Sequence, residues 1–259
     1  MSEVFSANRY LQRIGMPTQT GPATLELLAA LQLAHLINVP FENLHVFHHR
    51  GVRTDLDWSY PKIVEQRRGG WCFEVNGCFG AMLRAVGFDV DYISCRVWNG
   101  PDGWGPPFDH LGLVIRIDGD RWFADVGFGD NCVMPLPIVD GTHLATPRQA
   151  RIEVAEDAFE LTELMPDEGW LKQLHGELQP VQLSEFEPRS EYLEHAPDLG
   201  WSTKPFATRA LDGDGSRVTL RRDVLRQRTG SGQYVDRPVA EGEWSDLLAE
   251  HFGLIDIVT

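Results

Sequence analysis

The chain has 259 residues, 42% of them hydrophobic and 24% charged. That is ordinary globular composition, in a chain long enough to bury a core without disulfide or metal staples. Its formal net charge of −15 argues against partners built on phosphate backbones or anionic membrane surfaces, and no apolar run approaches the roughly 20 residues of a membrane span.

The N-terminus, MSEVFSANRYLQRIG, is polar and carries no secretory pattern. A short helix can begin near Ser6. From Thr24, leucines recur at helical spacing through TLELLAALQLAHLINV, with Thr24 placed to cap and Pro40 to stop the helix. The stretch HVFHHR has the look of a solvated loop holding His45, His48 and His49. YPKIVEQR predicts a short helix with Pro61 in its first turn. RRGG then leads into a second helix, from Cys72 to about Val86, closed by Gly87. Its Val75, Phe79, Met82, Leu83 and Val86 form a core face.

From about Phe88 the hydrophobic period shifts toward two. DVDYISCRVW, HLGLVIRI, RWFADVGF and RQARIEVA predict strands, punctuated by turn residues at 99–107, 118–120 and 140–142. The segment from Ser190 to Pro205 is polar and suits a linker. A hairpin in TRALDGDGSRVTLRRDVL and a helix from Trp244 to Gly253 complete the chain. Helices first and strands afterwards predict an α+β protein with segregated layers.

Cys72 follows two glycines at a predicted helix start. Taken alone, it is equally well a small buried hydrophobe or a nucleophile. A nucleophile would gain from the roughly half positive charge of a helix N-terminus, and it needs a histidine steered by a carboxylate. Of nine histidines, only His110 opens an apolar strand. With Asp118-Gly119 as a two-residue hairpin loop, Ile117 pairs with Asp120 and Arg116 with Arg121. Gly112 then falls opposite Asp125, and His110 and Asp125 become diagonal neighbours on one face, roughly 7–8 Å apart at the backbone. Asp125 lies among apolar residues in FADVGFG, where a carboxylate is costly unless paired. Cys78, Cys95 and Cys132 suit packing, and the four cysteines show neither CxxC nor zinc-ribbon spacing. A reduced, cytoplasmic protein without a metal is expected.

These motifs, in this order, resemble the arylamine N-acetyltransferase family. RGGWCFEVNG is similar to its nucleophile motif, DHLGLVI and FADVGFG to its histidine and aspartate motifs, and PFENLHV to an upstream segment. YLQRIG and KPFATRALDGDGSRVTL also fit, so the resemblance spans nearly the whole chain. It implies an N-terminal helical bundle over 1–88, a central antiparallel β-barrel over 89–190 and a C-terminal α/β lid over 191–259, on a cysteine-peptidase-like core. It implies Cys72, His110 and Asp125 as the triad. Phe41, Val97, Phe128 and Phe206 would be placed about an aromatic acceptor, Gly127 and Gly129 beside acetyl-CoA, and Arg68 with Glu42 as a bracing ion pair.

The activity so implied is acetyl transfer from acetyl-CoA to an arylamine or arylhydrazine, by a ping-pong route through acetyl-Cys72. Two rivals use the same triad. An amide synthase would take a carrier-protein thioester, and a cysteine peptidase or transglutaminase would work on peptide bonds along an open cleft.

Overall fold

A computed structural model describes residues 5–18, 21–196 and 199–255. The N-terminal part carries α1 (Ala7–Arg13), α2 (Leu25–Asn38), the two-residue strand β1 (Phe41–Glu42), α3 (Leu44–Phe47), α4 (Leu56–Tyr60) and α5 (Cys72–Ala85). Ser6, Thr24 and Asp55 cap α1, α2 and α4 by accepting backbone N–H groups. Pro61 begins a single π-helical turn, Pro61–Glu65, that runs on directly from α4, so the predicted helix there is split between two geometries.

The second part is an antiparallel sheet with the sheet order β5-β4-β3-β2-β9-β8-β7-β6, curved into a nearly closed barrel. Its strands are β2 (Asp89–Val97), β3 (His110–Ile117), β4 (Asp120–Ala124), β5 (Leu136–Pro137), β6 (Gly141–His143), β7 (Ala150–Val154), β8 (Ala158–Met165) and β9 (Gly169–Val181). The β3–β4 hairpin has the register expected from its turn. Ile117 faces Asp120 and Arg116 faces Arg121, with positive φ at both Asp118 and Gly119 as a tight primed turn demands.

The polar segment assigned to a linker instead begins inside a helix, α6 (Glu187–His195). Strands β10 (Phe206–Ala210), β11 (Arg217–Arg221), β12 (Val224–Arg228) and β13 (Tyr234–Pro238) follow, and α7 (Trp244–Phe252) ends on the left-handed Gly253. This second sheet runs β1-β10-β11-β12-β13. A strand from the helical region thus pairs with the C-terminal hairpin, Phe41 opposite Thr208.

Helix α5 is buried nearly all round, from Cys72 through Gly80 and again at Met82 and Leu83, the pattern of a helix inside the core rather than on it. Two glycines let it sit close. A Cβ at Gly80 would come within 2.6 Å of the Tyr92 ring and 3.1 Å of Leu113, and one at Gly77 would touch Leu183. The Tyr92 hydroxyl donates to the Gly77 carbonyl at 2.8 Å. These contacts seat the middle of α5 on β2 and β3. Among the described residues no helix is long and apolar enough to cross a membrane.

Candidate active site

Cys72 is the first residue of α5. The first-turn N–H groups of a helix have no acceptor within it and point outward. Glu74, three residues beyond Trp71, reaches back to the Trp71 N–H at 3.2 Å and so fixes the helix start. Glu74 is fully buried and faces Lys62, whose ammonium lies 2.8 Å from both of its oxygens. Trp58 Nε1 donates to it as well, at 3.0 Å. Burial pushes the Glu74 carboxyl upward, and Lys62 counters this.

The two glycines before Cys72 do not make the turn. Arg67 does, with φ of 55°, and Arg13 donates to the carbonyls of Arg67 and Arg68. Gly69 and Gly70 serve close approach instead. A Cβ on Gly69 would lie 2.1 Å from the Pro40 carbonyl oxygen, and one on Gly70 would lie 2.6 Å from Glu74. That closeness lets Gly70 pair with Phe41 of β1. Glu42 beside it lies 3.7 Å from the Arg68 guanidinium and accepts the Leu44 N–H at 2.6 Å.

His110 opens β3, and its Nε2 lies 2.7 Å from Asp125 Oδ2. With Nε2 committed to Asp125, Nδ1 is the ring nitrogen left to exchange a proton, and the Cys72 side chain lies near enough to raise the ring's pKa. All three groups are buried, with Cys72 the most open at 7%. Burial pulls the His110 pKa down, but the Asp125 carboxylate and the Cys72 sulfur outweigh it, and the ring is pushed up to about 10. The imidazole is therefore built to hold a proton.

Asp125 is held in turn by Asn76, one helical turn beyond Cys72. The Asn76 amide donates to Asp125 Oδ1 at 2.8 Å and to the Leu111 carbonyl at 2.7 Å, and accepts the Val126 N–H at 2.9 Å. The Gly127 N–H donates to the same Oδ1 at 2.7 Å. The i, i+4 spacing of Cys72 and Asn76 was available in the sequence, since it puts both on one helix face. The Lys62–Glu74 pair and Arg13 carried no comparable signal.

A cavity of about 630 Å³ lies beside the triad, lined by Phe41, Phe128, Trp201 and Phe206 together with Gly129 and Asp130. The Phe128 ring packs edge-on against His110 at 5.3 Å. Gly127 lies outside this lining, packed instead against Cys72, where a Cβ would stand 2.7 Å from the Cys72 Cα. Gly129 has φ of 96° and backs onto Phe41. Val97 also lies outside the lining, at the far end of β2 opposite Leu174. Lys204, Arg221 and Arg222 add cations to the cavity wall, unexpected in so acidic a chain.

The other thiols are buried. Burial raises Cys78 to about 12, as suits packing. His45 and His48 depart from the solvated loop expected of them. Leu44–Phe47 is helical and both side chains are partly buried. Burial, with Lys62 and Arg68 nearby, drives His45 down to about 3. His35 is buried too, 2.6 Å from the Tyr10 hydroxyl. No cluster of three metal-ligating side chains occurs among the described residues.

A thiol at a helix end, facing a histidine on an adjoining sheet, is the core of the cysteine-peptidase-like enzymes. The comparisons narrow the class. Residues 24–256 match the family model described as N-acetyltransferase. An arylamine N-acetyltransferase of Mycolicibacterium smegmatis is 31% identical over 259 residues, covering 95% of this chain and 90% of its own. The Salmonella typhimurium arylamine N-acetyltransferase structure matches with a TM-score of 0.89 at 27% identity, over 98% of this chain and 92% of that one. The Mycobacterium marinum enzyme, in a complex with CoA, matches with a TM-score of 0.86 at 26% identity, over 96% and 92% of the two chains. This chain belongs to the arylamine N-acetyltransferase family.

Proposed function

We propose that the protein moves an acetyl group from acetyl-CoA to the nitrogen of an arylamine or arylhydrazine, with Cys72, His110 and Asp125 as its triad. The observation that carries this reading is a buried histidine bonded to a buried carboxylate at 2.7 Å, close enough to a thiol at a helix N-terminus for that thiol to raise the ring's pKa.

In the first half-reaction the Cys72 thiolate attacks the thioester carbonyl, with its proton held on His110. N–H groups of the first turn of α5 would face the oxygen as it gains charge. The C–S bond to CoA breaks, and the departing sulfur takes the proton from His110. In the second, the amine nitrogen attacks acetyl-Cys72 while His110 removes its proton. The C–S bond to Cys72 breaks and an amide leaves. One site serves both halves, which predicts ping-pong kinetics. Phe41, Phe128, Trp201 and Phe206 would receive the aromatic ring and exclude water, while Lys204, Arg221 and Arg222 would meet the donor's phosphates. Gly129 would lie along the donor, and Gly127 and the Arg68–Glu42 pair would brace the nucleophile rather than touch ligand.

Initial rates with acetyl-CoA and 4-anisidine as varied substrates test this. Parallel double-reciprocal lines support the reading. Intersecting lines, or turnover only with a carrier-protein thioester or a peptide, overturn it.

A further inference from the structure

Asn43 has no part in the chemistry just described, yet it is among the most buried polar side chains of the protein, at 1% exposure. It stands at the start of α3 without capping that helix. Its side chain is spent elsewhere. Nδ2 donates to the Trp201 carbonyl at 2.6 Å and to the Lys204 carbonyl at 3.0 Å, and Oδ1 accepts the Phe206 N–H at 2.9 Å. Both amide protons and the carbonyl oxygen of one residue are thus used by a single six-residue stretch, 201–206, the loop that leads into β10 with the strand's first residue.

That loop is a wall of the cavity. Trp201, Lys204 and Phe206 all line it. The Trp201 ring meets Phe41 at 6.3 Å, Phe206 at 5.9 Å and Trp71 at 5.9 Å, and Trp71 immediately precedes Cys72. The loop's backbone turns back on itself through Lys204 N–H to Gly200 carbonyl at 2.8 Å. Main-chain carbonyls of a loop, bonded by a buried amide on the neighbouring bundle, have no equivalent partner if that amide is removed.

We propose that Asn43 is the positioning residue for this wall, and that it sets the shape of the aromatic acceptor subsite without acting on the triad. The proposal rests on the reading of the cavity as the substrate pocket. Aspartate at this position keeps the acceptor oxygen for the Phe206 N–H but sets a carboxylate against two carbonyls. Alanine removes all three bonds.

The test uses the full chain with Asn43→Asp, Asn43→Ala and, as a loop reporter, Trp201→Phe in wild-type and Asn43→Ala backgrounds. Three readouts are taken: KM and kcat for 4-anisidine with acetyl-CoA, the pH profile of Cys72 alkylation by iodoacetamide, and acrylamide quenching of the Trp201 fluorescence obtained by difference. The expected result is a rise in anisidine KM of about tenfold, the scale of one to two lost hydrogen bonds. It comes with greater quenching of Trp201 and an unchanged alkylation profile. A KM and quenching equal to wild type would overturn the proposal. So would an alkylation profile that shifts along with KM, because Asn43 would then act through the triad. If wild type fails to acetylate anisidine, the functional reading falls, and the quenching comparison alone decides whether Asn43 holds the wall. Should Asn43→Ala not fold, the same readouts in Asn43→Asp decide.

Discussion

At Gly127 a single hydrogen occupies the space where a methyl group would meet the backbone of Cys72. Its Cβ would also fall 2.9 Å from Asn76 Nδ2 and 2.9 Å from Val75. Because the nearest atom belongs to the main chain of α5, no rotamer change relieves the clash. Gly127→Ala should therefore displace Cys72 from His110 and cut the rate of Cys72 acetylation by about 10²-fold, the usual consequence of misplacing a reacting group by an ångström. Stopped-flow acylation measures it. The His110–Asp125 pair gives a pH prediction. The folded-state ring pKa is raised from 6.5 to about 10, so the pair's stabilisation is complete below the ordinary value and fades as pH climbs through the raised one. Asp125→Asn removes the larger raising partner and leaves burial, which lowers the ring, opposed by Cys72 alone. Urea midpoints should fall between pH 7 and 10 in wild type and lose that slope in Asp125→Asn, whose kcat drops by about 10²–10⁴-fold.

The residue pair was legible in the sequence because a two-residue turn and a period of two leave few registers. With strands read on both sides, the Asp118-Gly119 loop placed His110 and Asp125 on one face; the paired ladder ends at Leu113 and Ala124, and the Nε2–Oδ2 bond joins the two residues just past it. Trp201 and Asn43 were not legible as partners, because no local pattern encodes a bond across 158 residues.

Among the elements, α5 carries the largest share of the site. It holds Cys72 at its first position, Glu74 as its N-terminal brace and Asn76 as the support of Asp125, while Gly77 and Gly80 set its distance from the sheet. Lys62, from the preceding π-helical turn, neutralises Glu74 in the interior. Removing one partner of a buried ion pair costs about 3–5 kcal/mol, and replacing both by apolar groups of like volume costs much less. Lys62→Met should lower stability by that amount in urea titration and slow acylation, because an unpaired Glu74 takes up a proton and loosens the helix start. Lys62→Met with Glu74→Leu should regain part of the stability but not the rate, since the bond to the Trp71 N–H is still missing. The extent of α5 followed from its flanking glycines and apolar spacing. The π-helical turn did not, because one proline is compatible with either helix type at that point. Strands β8 and β9 escaped the sequence reading although β8 alternates half-buried and buried positions over Ala158–Glu163, since Glu163 sets a carboxylate on the buried face and Leu164 an apolar side chain on the open one, which breaks the period of two.

On the scale of the whole molecule, two layers are joined around one carboxylate. Asp130 follows the Gly129 turn, and Arg148, Arg217 and Arg228 converge on it at 3.3, 3.4 and 2.7 Å. Arg217 and Arg228 belong to the C-terminal sheet, while Arg148 also pairs with the buried Glu163 of β8 at 2.7 Å. Burial alone would raise the Asp130 carboxyl, and the three guanidinium groups hold it below the usual carboxylate range. Asp130→Ala should lower the melting temperature by several degrees, as three buried cations lose a shared partner. It should also raise the KM for acetyl-CoA, because the cavity lies along this junction. Differential scanning calorimetry and steady-state kinetics check the two halves separately. The overall architecture was legible from the change of period near Phe88 and from the family motifs. The junction was not, since its charges come from four separate stretches of sequence and meet only in the fold.

The central claim is that Cys72 accepts an acyl group from a thioester and holds it until an amine arrives. Intact-protein mass spectrometry after mixing with acetyl-CoA, with no amine present, tests this in wild type and Cys72→Ala. The account predicts one acetyl group on wild type, none on Cys72→Ala, and loss of the adduct when 4-anisidine is added. A wild-type chain that stays unmodified while its thiol still reacts with iodoacetamide would contradict it.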